Sequence, residues 1–478
     1  MWKWINDIIL KFRGCFSREA SFNWFVVILL GMMLRSDHLG VTSIIRELCI
    51  APKYYETMLH FFRSGAWKLP ELVKKWVSIV KKTGNVFLEE QMALLVIDGI
   101  KKPKEGRKIP GVKKLHQESE NSSKAEYIHG HLFGVVSIIA GSANKMFCLP
   151  LQATIQDGVD TIRKLADKNS KTESHVATLV RQACLIASGL MCESILLMDR
   201  YFLSVPALQE RIACEEQFKS PLVHIVTKAK KSATAYHKPV KRSGRGAPAK
   251  KGSKVKVMQL FTDCADKFIT AKVLLYGVEQ EIQYFCTDLL WGKKLYQELR
   301  FVLVKTGSSQ SILVCTNTAF SPRKIIRLYG YRFKIEVSFK ALSGCLDGLG
   351  YHFWTTFMPK LNRFAKKGDP NPIDSITDSA AQKHIISTLT AIENFVMMNC
   401  IALGLLQLIS LRFFDSKNHS LLRWLRTVSS NTPSEATTAV FMRKSIYCMF
   451  RFLPNLEILQ IIKAKQSAPS DPPNSFVS

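Results

Sequence analysis

The sequence predicts an α/β catalytic core that carries an inserted β-rich subdomain and is flanked by helical regions on both sides. Two continuous apolar runs, residues 92–98 and 194–199, each end at an acidic residue, which is typical of strands buried on both faces of a sheet. A series of β-rich runs lies between residues 255 and 315, and apolar residues with a helical period dominate both ends of the chain. A length of 478 residues predicts two or three domains rather than one.

The composition indicates a folded protein that attracts polyanions. The chain has 67 Lys and Arg against 38 Asp and Glu, a net charge of +29. A hydrophobic content of 47% excludes a disordered basic tail protein. Nucleic acid and anionic membrane surfaces both attract clustered Lys and Arg, so charge alone leaves both partners open.

Membrane insertion and secretion receive little support from the sequence. The two longest apolar candidates, residues 24–34 and 395–411, contain 11 and 17 uncharged residues, fewer than the ~20 needed to span a bilayer. No small-residue cleavage site follows an apolar run near the amino terminus, so no signal peptide is expected. The twelve cysteines are scattered without a CxxC pair, which favours reduced thiols and a cytoplasmic protein.

The pattern of the chain changes at residue 89. Residues 1–88 form a predicted helical region, and residues 89–227 form the first part of the core. Within that part, a Lys- and Gly-rich exposed loop is expected at residues 99–124 beside Asp98. Two further strands and one helix are predicted from their apolar patterns, at residues 131–140, 146–155 and 174–191.

A basic segment and β-rich runs make up residues 228–320, the predicted insertion. Residues 222–256 contain eleven Lys or Arg and no acid, as in a flexible basic excursion, and the runs that follow predict a small antiparallel unit. Residues 321–365 are expected to complete the core with a helix that begins at Ser321 and Pro322 and ends near Gly344. Residues 366–463 are predicted to be helical, and residues 464–478 to be a disordered tail.

Three acids, Asp98, Asp199 and Glu336, lie at the ends of predicted elements, where α/β proteins build their sites. Two acids on neighbouring strands and a third on a packed helix would form an oxygen cage for Mg²⁺, and two such ions promote phosphoryl transfer. The alternative is that each acid is a turn or cap residue.

Tyr329, Arg332, Glu336 and Lys340 are spaced to repeat one helical face. A carboxylate beside a phenol, a guanidinium and an ammonium suits a scissile phosphate, because the acid can hold metal while Arg grips phosphate oxygens in a fork. A solvated face with a Glu336–Lys340 pair is the alternative, and Gly330 could break the helix.

The segments LLVIDGIKKPKEGRKIPG around Asp98, ILLMDRYF around Asp199 and LYGYRFKIEVSFK around Glu336 carry a resemblance to a known family. Over most of residues 90–360 the chain resembles the DDE transposases of bacterial insertion sequences, enzymes with an RNase H-like core, in the group with a β-strand insertion. Tyr329, Arg332 and Glu336 match that group's tyrosine, arginine and glutamate signature. The signature's lysine would fall on Ser343, and Lys340 on the same face could substitute for it.

The resemblance implies a transposase that binds the terminal inverted repeats of its element and catalyses metal-dependent cleavage and strand transfer. Asp98, Asp199 and Glu336 would be catalytic and hold two Mg²⁺ ions, which Mn²⁺ could replace. The partner would be double-stranded DNA, both transposon ends and target, bound by a homodimer in the bacterial cytoplasm, associated with the nucleoid and not with a membrane. Residues 1–88 would recognise the ends, by elimination, and the carboxy-terminal helices would pair protomers unless their apolar face is buried within the chain.

Further DNA contacts are expected beyond the signature. In some members of the family that the chain resembles, a tryptophan of the insertion stacks on a flipped base, and the resemblance implies this role for Trp291, although its apolar neighbours favour a core position. The basic segment, with Lys241, Arg242 and Arg245 at its centre, would follow DNA phosphates.

Two alternatives stay open at the level of sequence. A catalytically silent, transposase-derived DNA-binding protein would share these features, although all three acids are present; a membrane-associated protein is the other. His129 and His131 are assigned to packing or loop structure, because no third ligand is placed to complete a zinc site. The sequence contains no Walker loop, GxSxG elbow or HExxH helix, so ATP-driven, serine-hydrolase and metalloprotease functions have no support.

Overall fold

The computed structural model describes residues 1–117, 125–142, 145–167, 174–240, 249–275, 278–364, 369–414 and 432–467. The described chain is a mixed α/β protein built on one open, mixed sheet, which confirms the predicted α/β class. Its helices are α1 (Trp2–Leu10), α2 (Glu19–Leu34), α3 (Val41–Glu47), α4 (Tyr55–Phe61), α5 (Leu69–Lys82), α6 (Asp160–Ala166), α7 (His175–Leu190), α8 (Val205–Phe218), α9 (Leu260–Asp263), α10 (Pro322–Tyr331), α11 (Lys334–Gly344), α12 (Ser379–Phe413), α13 (Glu435–Phe452) and α14 (Glu457–Lys463).

The strands that form the sheet are β1 (Leu88–Glu89), β2 (Met92–Pro103), β3 (Lys113–His116), β4 (Tyr127–Ser142), β5 (Lys145–Ile155), β6 (Ser194–Met198), β7 (Val223–Lys228), β8 (Thr234–Tyr236), β9 (Lys254–Lys256), β10 (Ile269–Leu275), β11 (Val278–Trp291), β12 (Gln297–Thr306) and β13 (Ser309–Cys315). Their central order is β5-β4-β2-β6-β7-β13-β12-β11. β6 and β7 run parallel to β2, whereas β4 is antiparallel to both β2 and β5.

β2 shows why its apolar run predicted a strand with two covered faces. Ala93, Leu95 and Ile97 belong to one apolar core, and the alternate residues Leu94 and Val96 belong to the other. Successive side chains of a strand point to opposite faces, so a continuous apolar sequence requires cover on both sides. α7 contributes to the first core, whereas α10 and the start of α11 contribute to the second.

The strands of the β-rich insertion pair antiparallel with one another, as predicted, and they are continuous with the core sheet. β13 pairs with β7 in antiparallel register, with Val314 opposite Thr227, and β12, β11 and β10 extend the sheet from there. The predicted strand at residues 255–261 is wrong in its second half, because β9 ends at Lys256 and a helical turn follows. The prediction failed because an apolar alternation of seven residues fits a short helix as well as a strand.

The segment after Asp98 is more ordered than the predicted exposed loop. β2 continues to Pro103, and β3 pairs with β4 from Lys113 to His116. Gly130 permits the close approach of β4 to β2, because a Cβ there would lie 2.1 Å from the carbonyl oxygen of Lys102. Residues 118–124 of the predicted loop lie outside the described residues.

The helices from the two ends of the chain pack together. α12, which contains the apolar run 395–411, contacts α2, β5 and α13. It is the one described helix long and apolar enough to cross a membrane, and 94% of its most apolar window is buried within the protein. The apolar face that could have paired protomers is therefore buried within the chain.

The start of the predicted tail is also ordered. Gln466 forms a β-bridge with Ile50, and its side chain donates a hydrogen bond to the carbonyl oxygen of Leu48 at 2.9 Å. Residues 468–478 lie outside the described part of the chain.

Candidate active site

The sheet brings Asp98 and Asp199 to neighbouring positions. Ile97 on β2 is paired with Met198 on the parallel strand β6, and each acid is the next residue along the chain. Asp98 is held by the backbone N–H of Gly99, which donates to its Oδ1 at 2.8 Å. Asp199 is fixed through its backbone, whose carbonyl oxygen accepts a hydrogen bond from the Thr227 hydroxyl at 3.1 Å. Because neighbouring strands lie ~4.8 Å apart, the two acids share one edge of the sheet.

Glu336 reaches the same edge from α11, through Arg332. The guanidinium of Arg332 donates to Asp98 Oδ2 at 3.0 Å, and its other terminal nitrogen donates to Glu336. Arg332 is 15% exposed and Asp98 20%, whereas Glu336 is 45% exposed. The arginine therefore bridges a largely buried acid and one on the rim of the site.

The predicted single helix over residues 321–344 is two helices. α10 ends at Tyr331 and α11 begins at Lys334, so the interruption falls at Arg332 and Phe333 rather than at Gly330. Both residues keep helical dihedral angles, but the hydrogen bonds shorten to three-residue spacing, from Arg332 N–H to Tyr329 and from Glu336 N–H to Phe333. Such tightening is typical of the ends of helices and marks the junction between α10 and α11.

Burial raises the pKa of Asp98 above its ordinary value. The Arg332 guanidinium and the Gly99 N–H oppose this effect, the carboxylates of Asp199 and Glu336 add to it, and the resulting pKa is about 6. For Arg332, burial lowers the pKa, but the nearby acids outweigh it and the net direction is upward. The electrostatics of the site are those of three carboxylates gathered around one internal cation.

The donor set suits a hard metal ion, but its arrangement here is that of an arginine-bridged cluster. Carboxylate oxygens are the ligands that Mg²⁺ prefers in proteins. Among the described residues, no three His, Cys, Asp or Glu side chains are grouped closely enough to hold a metal ion. Mg²⁺ binding by Asp98, Asp199 and Glu336 would therefore require Arg332 to leave at least one of its two carboxylates.

The two strand acids line a pocket of about 320 Å³. The same pocket is lined by Lys101, Lys113, Lys114, His175 and Tyr201. The Tyr201 hydroxyl and His175 Nε2 are 2.9 Å apart, and their rings are stacked. The lining of the pocket therefore combines carboxylates with ammonium groups.

Lys228 is a site residue that the sequence reasoning missed. It ends β7, the third parallel strand, as Asp98 and Asp199 follow the cores of the first two. Burial lowers the pKa of Lys228, Arg200 lowers it further and Asp199 raises it, which places its ammonium in the field of this site. The sequence contains a signal for Lys228, because the strand-like run VHIVTK also ends at a charged residue. Lys228 is, however, followed by further lysines, which assigned it to the basic segment.

The remaining residues of the predicted helix face differ in how far they are buried. Tyr329 packs against the second apolar core and raises the pKa of Arg332, so it lies close to the guanidinium. Lys340 is exposed, one turn beyond Glu336, and Ser343 is half-buried on the same helix. Their DNA contacts stay predictions.

The predicted contacts of the insertion are only partly visible. Trp291 is the last residue of β11 and is partly buried. It packs against the apolar core that contains Ala93, Leu95 and Ile97, which agrees with the core position predicted from its apolar neighbours. Lys241, Arg242 and Arg245 lie outside the described residues.

His129 and His131 act in packing, as the sequence indicated. His131 is buried, with Nε2 at 2.8 Å from the carbonyl oxygen of Pro110 and Nδ1 at 2.6 Å from the hydroxyl of Tyr351. His129 Nε2 contacts the carbonyl oxygen of Arg363 at 2.9 Å. Both histidines thus join the segment after Asp98 to the segment after α11.

Replacing Arg332 with Ala is expected to tighten Mn²⁺ binding to the DNA-free protein by about tenfold at pH 8. The substitution removes a cation from between two carboxylates, and a unit charge within a few ångströms is worth on the order of 1–4 kcal/mol at a partly exposed site. Calorimetric titration with Mn²⁺ measures the change. Arg327→Ala, which removes a cation paired with Glu89 from α10, is the matched control, and an unchanged affinity in Arg332→Ala would show that the bridge does not compete with metal.

Comparison with known proteins provides no family for the chain. A scan against protein-family models found no match, and a search of curated proteins found no significant relative.

Proposed function

We propose that the protein is a metal-dependent DDE transposase with an RNase H-like core, which cuts the ends of its own DNA element and joins them to a target. The observation that carries the proposal is the placement of Asp98, Asp199 and Glu336 at one edge of the sheet, joined by Arg332. The local segments around these acids are the ones that resemble the transposase family.

The strand order supports the same proposal. β5-β4-β2-β6-β7, in which β4 alone is antiparallel, is the order expected of an RNase H-like sheet, with its acids on the central strand and the strand beside it. The position of the insertion, between β7 and α10, also agrees with a family that carries β-strands before the glutamate helix.

Different residues of the chain would hold the metal ion and bind the scissile phosphate. Asp98, Asp199 and Glu336 would hold Mg²⁺, which supplies charge stabilisation for phosphoryl transfer. Arg332 would bind phosphate oxygens in a two-point contact in the state where Glu336 does not engage it. Lys228, at the end of β7, and Lys340, on α11, would add positive charge near the acids.

The test is cleavage of a labelled duplex carrying the flanking ends of the element, with Mg²⁺ or Mn²⁺, by the wild-type protein and by Glu336→Gln. Metal-dependent cutting by the wild type that disappears in the variant, with DNA affinity retained, is the expected result. Val337→Ala, a change at an exposed neighbour on the same helix, should leave cutting intact.

A catalytically silent DNA-binding protein is the second candidate, and the Arg332 bridge is the observation that favours it. A permanent guanidinium between Asp98 and Glu336 would satisfy both acids without metal. Tight DNA binding without cutting by either protein, and no Mn²⁺ binding in the calorimeter, would decide for this candidate.

A further inference from the structure

We propose that a groove beyond the acids binds single-stranded DNA, with bases stacked on Trp354 and phosphates held by cations of the segment that follows β2. The groove has a volume of about 790 Å³ and lies between residues 102–109 and residues 347–354. The proposal goes beyond the proposed function, because it requires strand binding and not cleavage.

One wall of the groove is an extended segment with a two-residue period. Tyr351, Phe353 and Thr355 are buried, whereas the alternate residues His352 and Trp354 are exposed. Extended backbone points successive side chains to opposite sides, so the buried set anchors the segment and the other set faces outward. Trp354 is thereby presented to the groove with 56% of its surface exposed.

The opposite wall is fixed by hydrogen bonds to that same segment. The backbone N–H of Thr355 donates to the carbonyl oxygen of Lys108 at 3.2 Å. The backbone N–H of Leu361 donates to the carbonyl oxygen of Arg107 at 3.0 Å. Lys108 Nζ donates to the carbonyl oxygen of Thr356 at 3.2 Å. A groove whose walls are joined in this way needs little ordering when a ligand enters.

Lys104 is part of the structure of this wall. Its ammonium lies 3.6 Å from the centre of the Tyr351 ring and donates to the carbonyl oxygens of Leu349 and Tyr351 at 3.1 and 2.7 Å. Burial lowers its pKa to about 8.

The charge of the groove suits a polyanion. Four cations line it, Lys102, Lys104, Arg107 and Lys108, against two carboxylates, Glu105 and Asp347. Arg107 is exposed, so its guanidinium is accessible to a phosphate. Positively charged grooves with aromatic platforms bind single strands, because phosphates meet the cations while bases stack on the rings.

The aromatic side chains favour a single strand over a duplex. Only a base that has left the helical stack offers its face to Trp354. Phe357, 44% exposed and stacked on His384 at 4.5 Å, lies on the same segment.

The groove lies within reach of the acids. Asp98 and Lys102 are four residues apart on β2, which is ~13 Å along the strand, and both side chains point to the same face. A strand end released at the acids would therefore enter the groove after a few nucleotides.

The experiment measures the affinity of the full-length protein for a fluorescein-labelled oligo-dT and for a duplex of equal length, by anisotropy. Trp354→Ala is expected to weaken single-strand binding about tenfold and to change duplex binding less than twofold, while Trp354→Phe should retain most of the affinity. Phe452→Ala, at a 67% exposed aromatic residue in the carboxy-terminal helices, is the matched control and should change neither affinity.

Equal affinity of wild type and Trp354→Ala for oligo-dT would overturn the proposal, as would an equal loss for both DNA forms. The cleavage assay is run on the same variants. Trp354-dependent strand binding without metal-dependent cutting would support the groove and reject the proposed nuclease. Metal-dependent cutting with no Trp354-dependent strand binding would support the proposed nuclease and reject the groove.

Discussion

Asp98→Asn is expected to reduce metal-dependent DNA cleavage by about 10³-fold or more while DNA binding persists. Asp98 is the most central of the three acids: it ends the apolar part of β2, contacts Arg332 at 3.0 Å and lies beside Asp199 across the sheet. The amide keeps the shape but removes the charge that would hold a divalent cation. Loss of several kcal/mol of charge stabilisation corresponds to this factor in rate, at 1.36 kcal/mol for each tenfold.

The control for this prediction is Asp157→Asn. Asp157 lines the same pocket as Asp98, but it pairs with Lys113 at 2.8 Å. Single-turnover cleavage with Mg²⁺ and a binding titration on the same duplex measure the two effects separately. If both asparagine variants cut at comparable rates, Asp98 has no special role and the three-acid site is rejected.

The core strands could be predicted because burial on both faces leaves a direct trace in the sequence. MALLVID and SILLMD are almost entirely apolar up to the acid that ends each run. Both form central strands, and their acids lie at the same edge of the sheet. The continuity of β13 with β7 could not be predicted, since pairing between strands 85 residues apart depends on register and not on local composition. The basic segment after Asp98 read as a loop because its order comes from contacts with residues 347–363, which no local pattern reveals.

The candidate site was predictable in its residues and not in its arrangement. Helical spacing placed Arg332 and Glu336 on one face, and they do contact each other. The contact of Arg332 with Asp98 spans 234 residues and is made at the junction of α10 and α11, where the hydrogen bonds shorten. Gly330 indicates a weak point in the helix two residues before this junction, but no local pattern pairs Arg332 with a strand so distant in the sequence.

The second large effect concerns pH and His131, the residue that ties the basic segment to Tyr351. Burial lowers the pKa of His131, the hydrogen bond to the Pro110 carbonyl oxygen opposes this effect, and the nearby charge of Lys104 adds to it. The resulting pKa is about 4, against about 6.5 in an unfolded chain. The folded state therefore binds fewer protons than the unfolded state between these two values. The contribution of His131 to the free energy of unfolding is complete above pH 6.5. It is lost as the pH falls toward 4, which lowers the free energy of unfolding by roughly 3 kcal/mol.

His131→Gln should remove this dependence. The amide can replace one of the two hydrogen bonds, to Pro110 or to Tyr351, so the variant is expected to be less stable than wild type at pH 7.5 by about 1–3 kcal/mol. Because glutamine takes up no proton, the difference between the two urea unfolding curves should shrink as the pH falls and vanish or change sign near pH 4. Curves that stay parallel from pH 7.5 to 4 would show that His131 is protonated as readily in the folded protein as in the unfolded chain, and that another group carries the acid sensitivity. Tryptophan fluorescence in urea at half-unit pH steps measures both curves, and the values above pH 7 give the cost of the lost hydrogen bond separately from the titration.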